Sequence, residues 1–263
     1  MKVAFSGKGG VGKTTVAAAV ARHLAEDGTP VLAVDADMDP NLAGALGISE
    51  EIPPLSEEKK LIFERMEVNP AAPGMYKLNP FVQDIPGKYA VKDGSLTLVV
   101  MGGVERGGRG CACPENAFLR ELLTHIMVTE EEWVIVDMEA GVEHMGRATA
   151  HSVDVMVIVA EPTPRAVQTA KKVERLAGDI GVSRMAVVGN KVRGEEDAAW
   201  LRDQVAPLPV VGWIPFLEAV SGLERRGERG FFEILPRERV EDILKGVRGL
   251  AEGSKAPSGA DKT

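Results

Sequence analysis

Cysteine is scarce in this chain: among 263 residues only Cys111 and Cys113 occur, one residue apart. Two thiols are far too few for the disulfide framework of a secreted domain. No stretch of 18 apolar residues occurs, so no segment reads as membrane-spanning. Positive charge is also in deficit, with 31 Lys and Arg against 39 Asp and Glu. The resulting net charge of −8 argues against the basic stripe that a general nucleic-acid surface needs. Met1 leads straight into an apolar strand pattern, which leaves no room for a signal peptide. A cytoplasmic protein with neither membrane nor nucleic acid as partner is expected.

What is present begins at Ser6-Gly7-Lys8-Gly9-Gly10-Val11-Gly12-Lys13-Thr14-Thr15. A short apolar run, Val3 to Phe5, precedes it, and an Ala/Val-rich helical pattern, Val16 to Glu26, follows. From Gly7 to Thr14 the spacing is G-x-x-x-x-G-K-S/T, in the strand, loop and helix order that a phosphate loop requires. Glycines let successive backbone N–H groups of Gly9, Gly10, Val11, Gly12 and Lys13 turn inward on a phosphate chain. The helix N-terminus behind Thr14 and Thr15 adds partial positive charge. Lys13 then reaches the β/γ-phosphates, and Thr14 offers its hydroxyl to Mg²⁺.

Further along, Val31–Val34, Leu96–Met101, Trp133–Val136, Val153–Ala160, Met185–Gly189 and Val210–Ile214 are short Val/Ile/Leu-rich runs. Helical patterns alternate with them, at Ala43–Leu46, Glu115–Met127, Arg165–Gly178, Glu195–Val205 and Phe216–Arg225, with a last amphipathic helix at Arg239–Leu250. Continuous apolar strands between helices predict one doubly wound, mostly parallel α/β sheet covered on both faces, over residues 1–250. Residues 52–94, punctuated by prolines, read as an irregular insertion with one short helix at Glu57–Met66. Residues 251–263 read as a flexible tail without the large apolar residues of a membrane-binding helix.

Acids follow two of these strands. Asp35-Ala36-Asp37-Met38-Asp39-Pro40-Asn41 comes directly after the second, where a carboxylate can order an attacking water or hold the hydration shell of a metal. Asp137 ends the apolar strand from Trp133 and is placed to bond Mg²⁺ through its waters, with Glu139-Ala140-Gly141 beyond it. Gly189-Asn190-Lys191 follows a further strand, and Asn190-Lys191-Val192-Arg193 lacks the NKxD pattern of guanine-binding sites.

Lys8 makes the loop read KGGVGKTT, the deviant form, and here the chain resembles the family of the nitrogenase iron protein and the MinD/ParA ATPases. The resemblance implies that Lys8 reaches across a nucleotide-sandwiched homodimer to the partner's phosphates, stabilising charge there. It implies that Asp37 positions the water and that Asp35 lies close to the metal. Met38 stands where proline is common, however, and Asp39-Pro40 comes one step later, so Asp39 stays open as the alternative. It further implies that Asn190, with Lys191, reads the adenine edge through its amide. The backbone at Pro215 would come close to the base, although the Asp that usually follows is replaced by Phe216-Leu217-Glu218.

The cysteines lie in Gly107-Gly108-Arg109-Gly110-Cys111-Ala112-Cys113-Pro114-Glu115, at the start of a helical pattern. A nearby helix N-terminus favours thiolate, and an extended C-x-C aims both sulfurs to one side. One chain supplies two sulfur ligands; a two-fold dimer supplies four, enough for a transition metal such as Zn²⁺ or Ni²⁺. Together with LNPFVQDIPGKYAV and VDMEAGVEHMGRATAHSVD, the run GCACPENAFLRELL resembles the CooC type of carbon monoxide dehydrogenase accessory ATPase. That resemblance implies ATP/ADP and Mg²⁺ as cofactors, nickel as cargo, and carbon monoxide dehydrogenase as client. An accessory ATPase of acetyl-CoA synthase would look nearly the same, and a ParA/MinD-type positioning switch is the reading from another class. The second cysteine position of the nitrogenase iron protein falls near Glu143-His144, which disfavours electron transfer through a [4Fe–4S] cluster.

Overall fold

The computed structural model describes residues 1–69, 75–103, 114–129, 132–139, 145, 147–220 and 231–253. An eight-stranded sheet forms its centre: β1 (Lys2–Gly7), β2 (Val31–Ala36), β3 (Val91–Asp93), β4 (Leu96–Val100), β5 (Trp133–Met138), β6 (Val155–Ala160), β7 (Met185–Val192) and β8 (Val210–Pro215). The spatial order is β3-β4-β2-β5-β1-β6-β7-β8. Every described pairing is parallel except β3 with β4. The expected doubly wound α/β sheet is what the chain forms.

Its inner strands are apolar because both faces are covered. Every residue of β2 and β6 is buried, as are five of the six in β1 and in β5. The helices that cover them are α1 (Lys13–Glu26), α2 (Leu42–Ala45), α3 (Lys59–Arg65), α4 (Ile85–Tyr89), α5 (Pro114–Thr129), α6 (Arg147–His151), α7 (Pro164–Ile180), α8 (Glu195–Val205) and α9 (Arg237–Glu252). The stripe Val16, Ala17, Val20, Ala21 and Leu24 of α1 is buried, and small residues there let the helix lie close to the sheet.

The segment read as an irregular insertion holds more than one short helix. Besides α3 it carries a 3₁₀ turn at Leu55–Glu57, the helix α4 and the edge strand β3. Leu55, Ile62, Met66 and Ile85 are buried against the main core, so the segment adds to that core. Antiparallel β3 is three residues long and half-exposed, a short edge that gives little for another chain to pair with. Of the helix expected at Phe216–Arg225, residues 218–220 are helical and 221–225 lie outside the described residues, as do residues 254–263 of the tail.

Strand order places the functional edge. β1 lies between β5 and β6, while the chain leaves it for β2 on one side and later adds β6 on the other. The winding direction therefore reverses at β1, and a crevice opens beyond its carboxyl end, where such sheets bind ligands.

Candidate nucleotide site

The loop beyond β1 fills that crevice. A Cβ on Gly7 would sit 2.5 Å from the Val159 carbonyl oxygen of β6, so only glycine lets the loop leave the sheet here. Gly10 and Gly12 have φ of +81° and +85°, the left-handed region glycine enters without strain. The Val11 N–H donates to the Lys8 carbonyl at 3.2 Å and its side chain is buried, which pins the loop from inside. Lys8, Gly9 and Gly10 stand exposed at the outer edge, and α1 starts at Lys13, followed by Thr14 and the buried Thr15.

Three carboxylates converge under this loop. β2 and β5 are neighbours in a register that sets Asp35 directly opposite Asp137. Both are fully buried. The Asp35 carboxylate accepts from the backbone N–H of Leu42 at 2.8 Å and of Asp37 at 3.2 Å. Among the described residues neither oxygen of Asp137 makes a hydrogen bond of sound geometry, although the Thr14 hydroxyl approaches closely enough to lower its pKa. Burial dominates for both acids. It raises Asp137 to about 7, against the pull of the Lys13 charge, and Asp35 to about 6, against its two backbone donors.

Lys13 forms an ion pair with Asp37. Burial works against its ammonium, but Asp137, Asp37 and Asp35 together outweigh that and raise its pKa, so Lys13 stays charged. Asp39 is exposed and donates only its backbone N–H to Asp37 Oδ1 at 3.2 Å. Of the two candidate acids in this loop, Asp37 is the one in contact with the loop lysine.

On the opposite side, β7 reaches back to the loop. Asn190 Nδ2 donates to the Val11 carbonyl at 2.7 Å, and Lys191 Nζ donates to the Gly10 carbonyl at 2.7 Å. Lys191 adopts φ +58°, rare for a side-chain-bearing residue, and so turns its ammonium toward the loop. Glu161, just beyond β6, pairs with the same ammonium at 2.7 Å. Two consecutive loop carbonyls are thus held by two consecutive residues. Pro215 ends the next strand, β8, and the Phe216 N–H beyond it donates to the Val192 carbonyl at 3.0 Å.

Sequence reasoning passed over Glu161, although it follows an apolar strand as Asp35 and Asp137 do. It also passed over Ser6, whose hydroxyl donates to the Glu139 carbonyl at 3.1 Å and ties β1 to the segment after β5. Cys111, Cys113, Gly141 and His144 lie outside the described residues.

A buried, unpartnered carboxylate beside a threonine hydroxyl and beneath a phosphate loop is suited to a hydrated divalent cation, and the residues fit Mg²⁺. Thr14, Asp137 and Asp35 would hold it, and bound there it would neutralise charge on β- and γ-phosphate oxygens.

Residues 2–230 match the family model of the CobQ/CobB/MinD/ParA nucleotide binding domain. The chain belongs to this family of P-loop ATPases, which implies ATP or ADP with Mg²⁺ as its ligands. Within it the chain is of the CooC type. It is 41% identical over 231 residues to the carbon monoxide dehydrogenase accessory protein CooC of Rhodospirillum rubrum, covering 86% of this chain and 88% of that protein. An uncharacterized ATP-binding protein of Methanocaldococcus jannaschii is 45% identical over 248 residues, with 93% and 96% covered. Among solved structures, MinD in the MinC:MinD complex of Aquifex aeolicus shares the fold at a TM-score of 0.66 and 22% identity, with 97% of each chain covered. No described helix is long and apolar enough to cross a membrane.

Proposed function

We propose that this protein is a Mg²⁺-dependent ATPase that forms a homodimer around nucleotide and metal and assists nickel insertion into carbon monoxide dehydrogenase. The observation that carries the catalytic half is the buried, unpartnered Asp137 carboxylate facing Asp35 beneath Lys13 and Thr14. In this reading Lys13 and the inward N–H groups of Gly9–Thr15 bind the phosphates, and Asp37 orients the attacking water. Lys8, exposed at the outer edge, serves the partner's phosphates. Asn190 has its Nδ2 engaged with Val11, which leaves Oδ1 to accept from the exocyclic amine of adenine; Lys191 and Pro215 border the base.

The metal half rests on the likeness to the carbon monoxide dehydrogenase accessory protein and on the C-x-C pair. Cys111 and Cys113 from two protomers supply four thiolates to Ni²⁺ or Zn²⁺ at the two-fold axis. Nucleotide and metal then share one interface and are thermodynamically coupled.

Anaerobic size-exclusion chromatography with metal analysis of each peak tests this, run without nucleotide, with ADP and with ATP, adding Ni²⁺ or Zn²⁺. The expected result is a dimer that forms with nucleotide or metal and holds one ion per two chains. Cys111→Ala with Cys113→Ala should lose the ion yet still bind ATP. A monomer under every condition, or retention of the ion by the double variant, would overturn the metal half.

A further inference from the structure

The solvent-facing side of α7 departs from the charge of the rest of the molecule. Arg165, Lys171, Lys172 and Arg175 are all exposed there, with Gln168 between them, while Ala166, Val167, Ala170, Val173 and Ala177 bury the other side. At 3.6 residues per turn the four cations fall within one outward arc about 15 Å long. None of them forms an ion pair with a described residue, although the chain carries a net charge of −8. Gln168, Thr169, Lys171, Lys172 and Arg175 outline a shallow, open depression between their side chains on this face. Cations side by side repel one another, so the arrangement gains stability when an anion arrives.

The helix is also fastened to the nucleotide site. Thr163 caps α7 by accepting from the Ala166 N–H at 3.3 Å, and its own N–H donates to the Glu161 carbonyl at 2.7 Å. Glu161 in turn holds the lysine that holds Gly10. A partner seated on α7 therefore lies one short chain of contacts from the phosphate loop.

We propose that this face of α7 is a docking surface for an acidic segment of a protein partner. Carboxylates spaced along an extended or helical peptide match four cations along one helix. A nucleic acid is disfavoured because its phosphates continue past the patch into the field of an acidic molecule, and Asp179 closes the stripe at its end. The inference stands independently of the metal site, and its test needs neither nickel nor the client enzyme.

The probe is a fluorescein-labelled twelve-residue peptide rich in Glu and Asp, titrated with the full-length protein in 50 mM salt and followed by anisotropy. The triple variant Lys171→Glu, Lys172→Glu, Arg175→Glu should weaken binding at least tenfold with basal ATP turnover unchanged. A control of equal charge change at exposed positions elsewhere, Lys59→Glu, Lys60→Glu, Lys92→Glu, should weaken it less than threefold. Equal loss in both triple variants would mean that net charge alone is read, and would overturn the proposal. So would tighter binding of a 20-base-pair duplex DNA than of the peptide, lost in the α7 variant.

Discussion

Asp137 is a buried carboxylate that no proton donor of good geometry meets among the described residues. Its unfolded-state pKa is the ordinary one, near 4, whereas the folded pKa is raised to about 7 by burial. Between those values the folded chain binds more protons than the unfolded chain, so without metal the stability falls as pH rises from about 4 to about 7. Asp35, raised to about 6, adds in the same direction. Asp137→Asn should therefore stabilise the protein in chelator-containing buffer by up to about 4 kcal/mol at pH 8 and flatten this slope, read from thermal melts across pH. The same variant should lose Mg²⁺-dependent ATP hydrolysis; retained turnover would remove Asp137 from the metal site. Lys13→Ala should lower kcat by about 100-fold or more, because a fixed cation at developing phosphate charge is lost. A steady-state phosphate-release assay reads it.

Among the elements, the phosphate loop and β7 approach closely. A Cβ on Gly12 would lie 2.2 Å from Asn190 Nδ2, and its φ of +85° penalises any side chain as well. Gly12→Ala should cost 1–3 kcal/mol of stability and abolish nucleotide binding by calorimetry. Adding Asn190→Ala removes the clash but not the backbone strain, so rescue should be partial. A second close approach joins the end of β4 to the acidic loop: a Cβ on Gly103 would meet Met38 Cγ at 2.4 Å and its Cα at 2.9 Å. Met38 replaces the expected proline, and Gly103 is what makes room for it. The elements themselves were legible wherever apolar runs were continuous, as at Val155–Ala160 and Trp133–Met138, because burial on both faces leaves an unbroken pattern. They were not legible in β3, whose Val-Lys-Asp carries no such pattern and is a strand only because β4 pairs with it. Strand-end position pointed to Asp35 and Asp137, but their mutual opposition depends on β5 inserting between β1 and β2, which no local signal encodes. Lys191 likewise required a left-handed backbone that its residue type does not announce.

At the scale of the whole molecule, β1, β2, β5, β6 and β7 all feed the candidate nucleotide site, so nucleotide should stabilise the fold globally. Mg-ATP at about 100 times its Kd contributes about 2.7 kcal/mol, which for a chain of this size raises Tm by about 5–10 °C. Differential scanning fluorimetry should show that rise for the wild type and little Mg²⁺-dependent rise for Asp137→Asn. A larger part of the molecule than the motif alone thus reports on the site.

The ion pair between Lys13 and Asp37 carries a consequence for the relative affinities of ATP and ADP under the proposed function. Phosphate and Asp37 compete for one ammonium, and the carboxylate is tethered to the same chain at high effective concentration. A nucleotide with more negative charge displaces such a rival more readily than one with less. In the proposed cycle the tethered acid would regain the lysine after cleavage, and rebinding of the weaker-charged product would be resisted. In that cycle Asp37 is a tethered competitor for Lys13 that weakens ADP more than ATP and so favours product release.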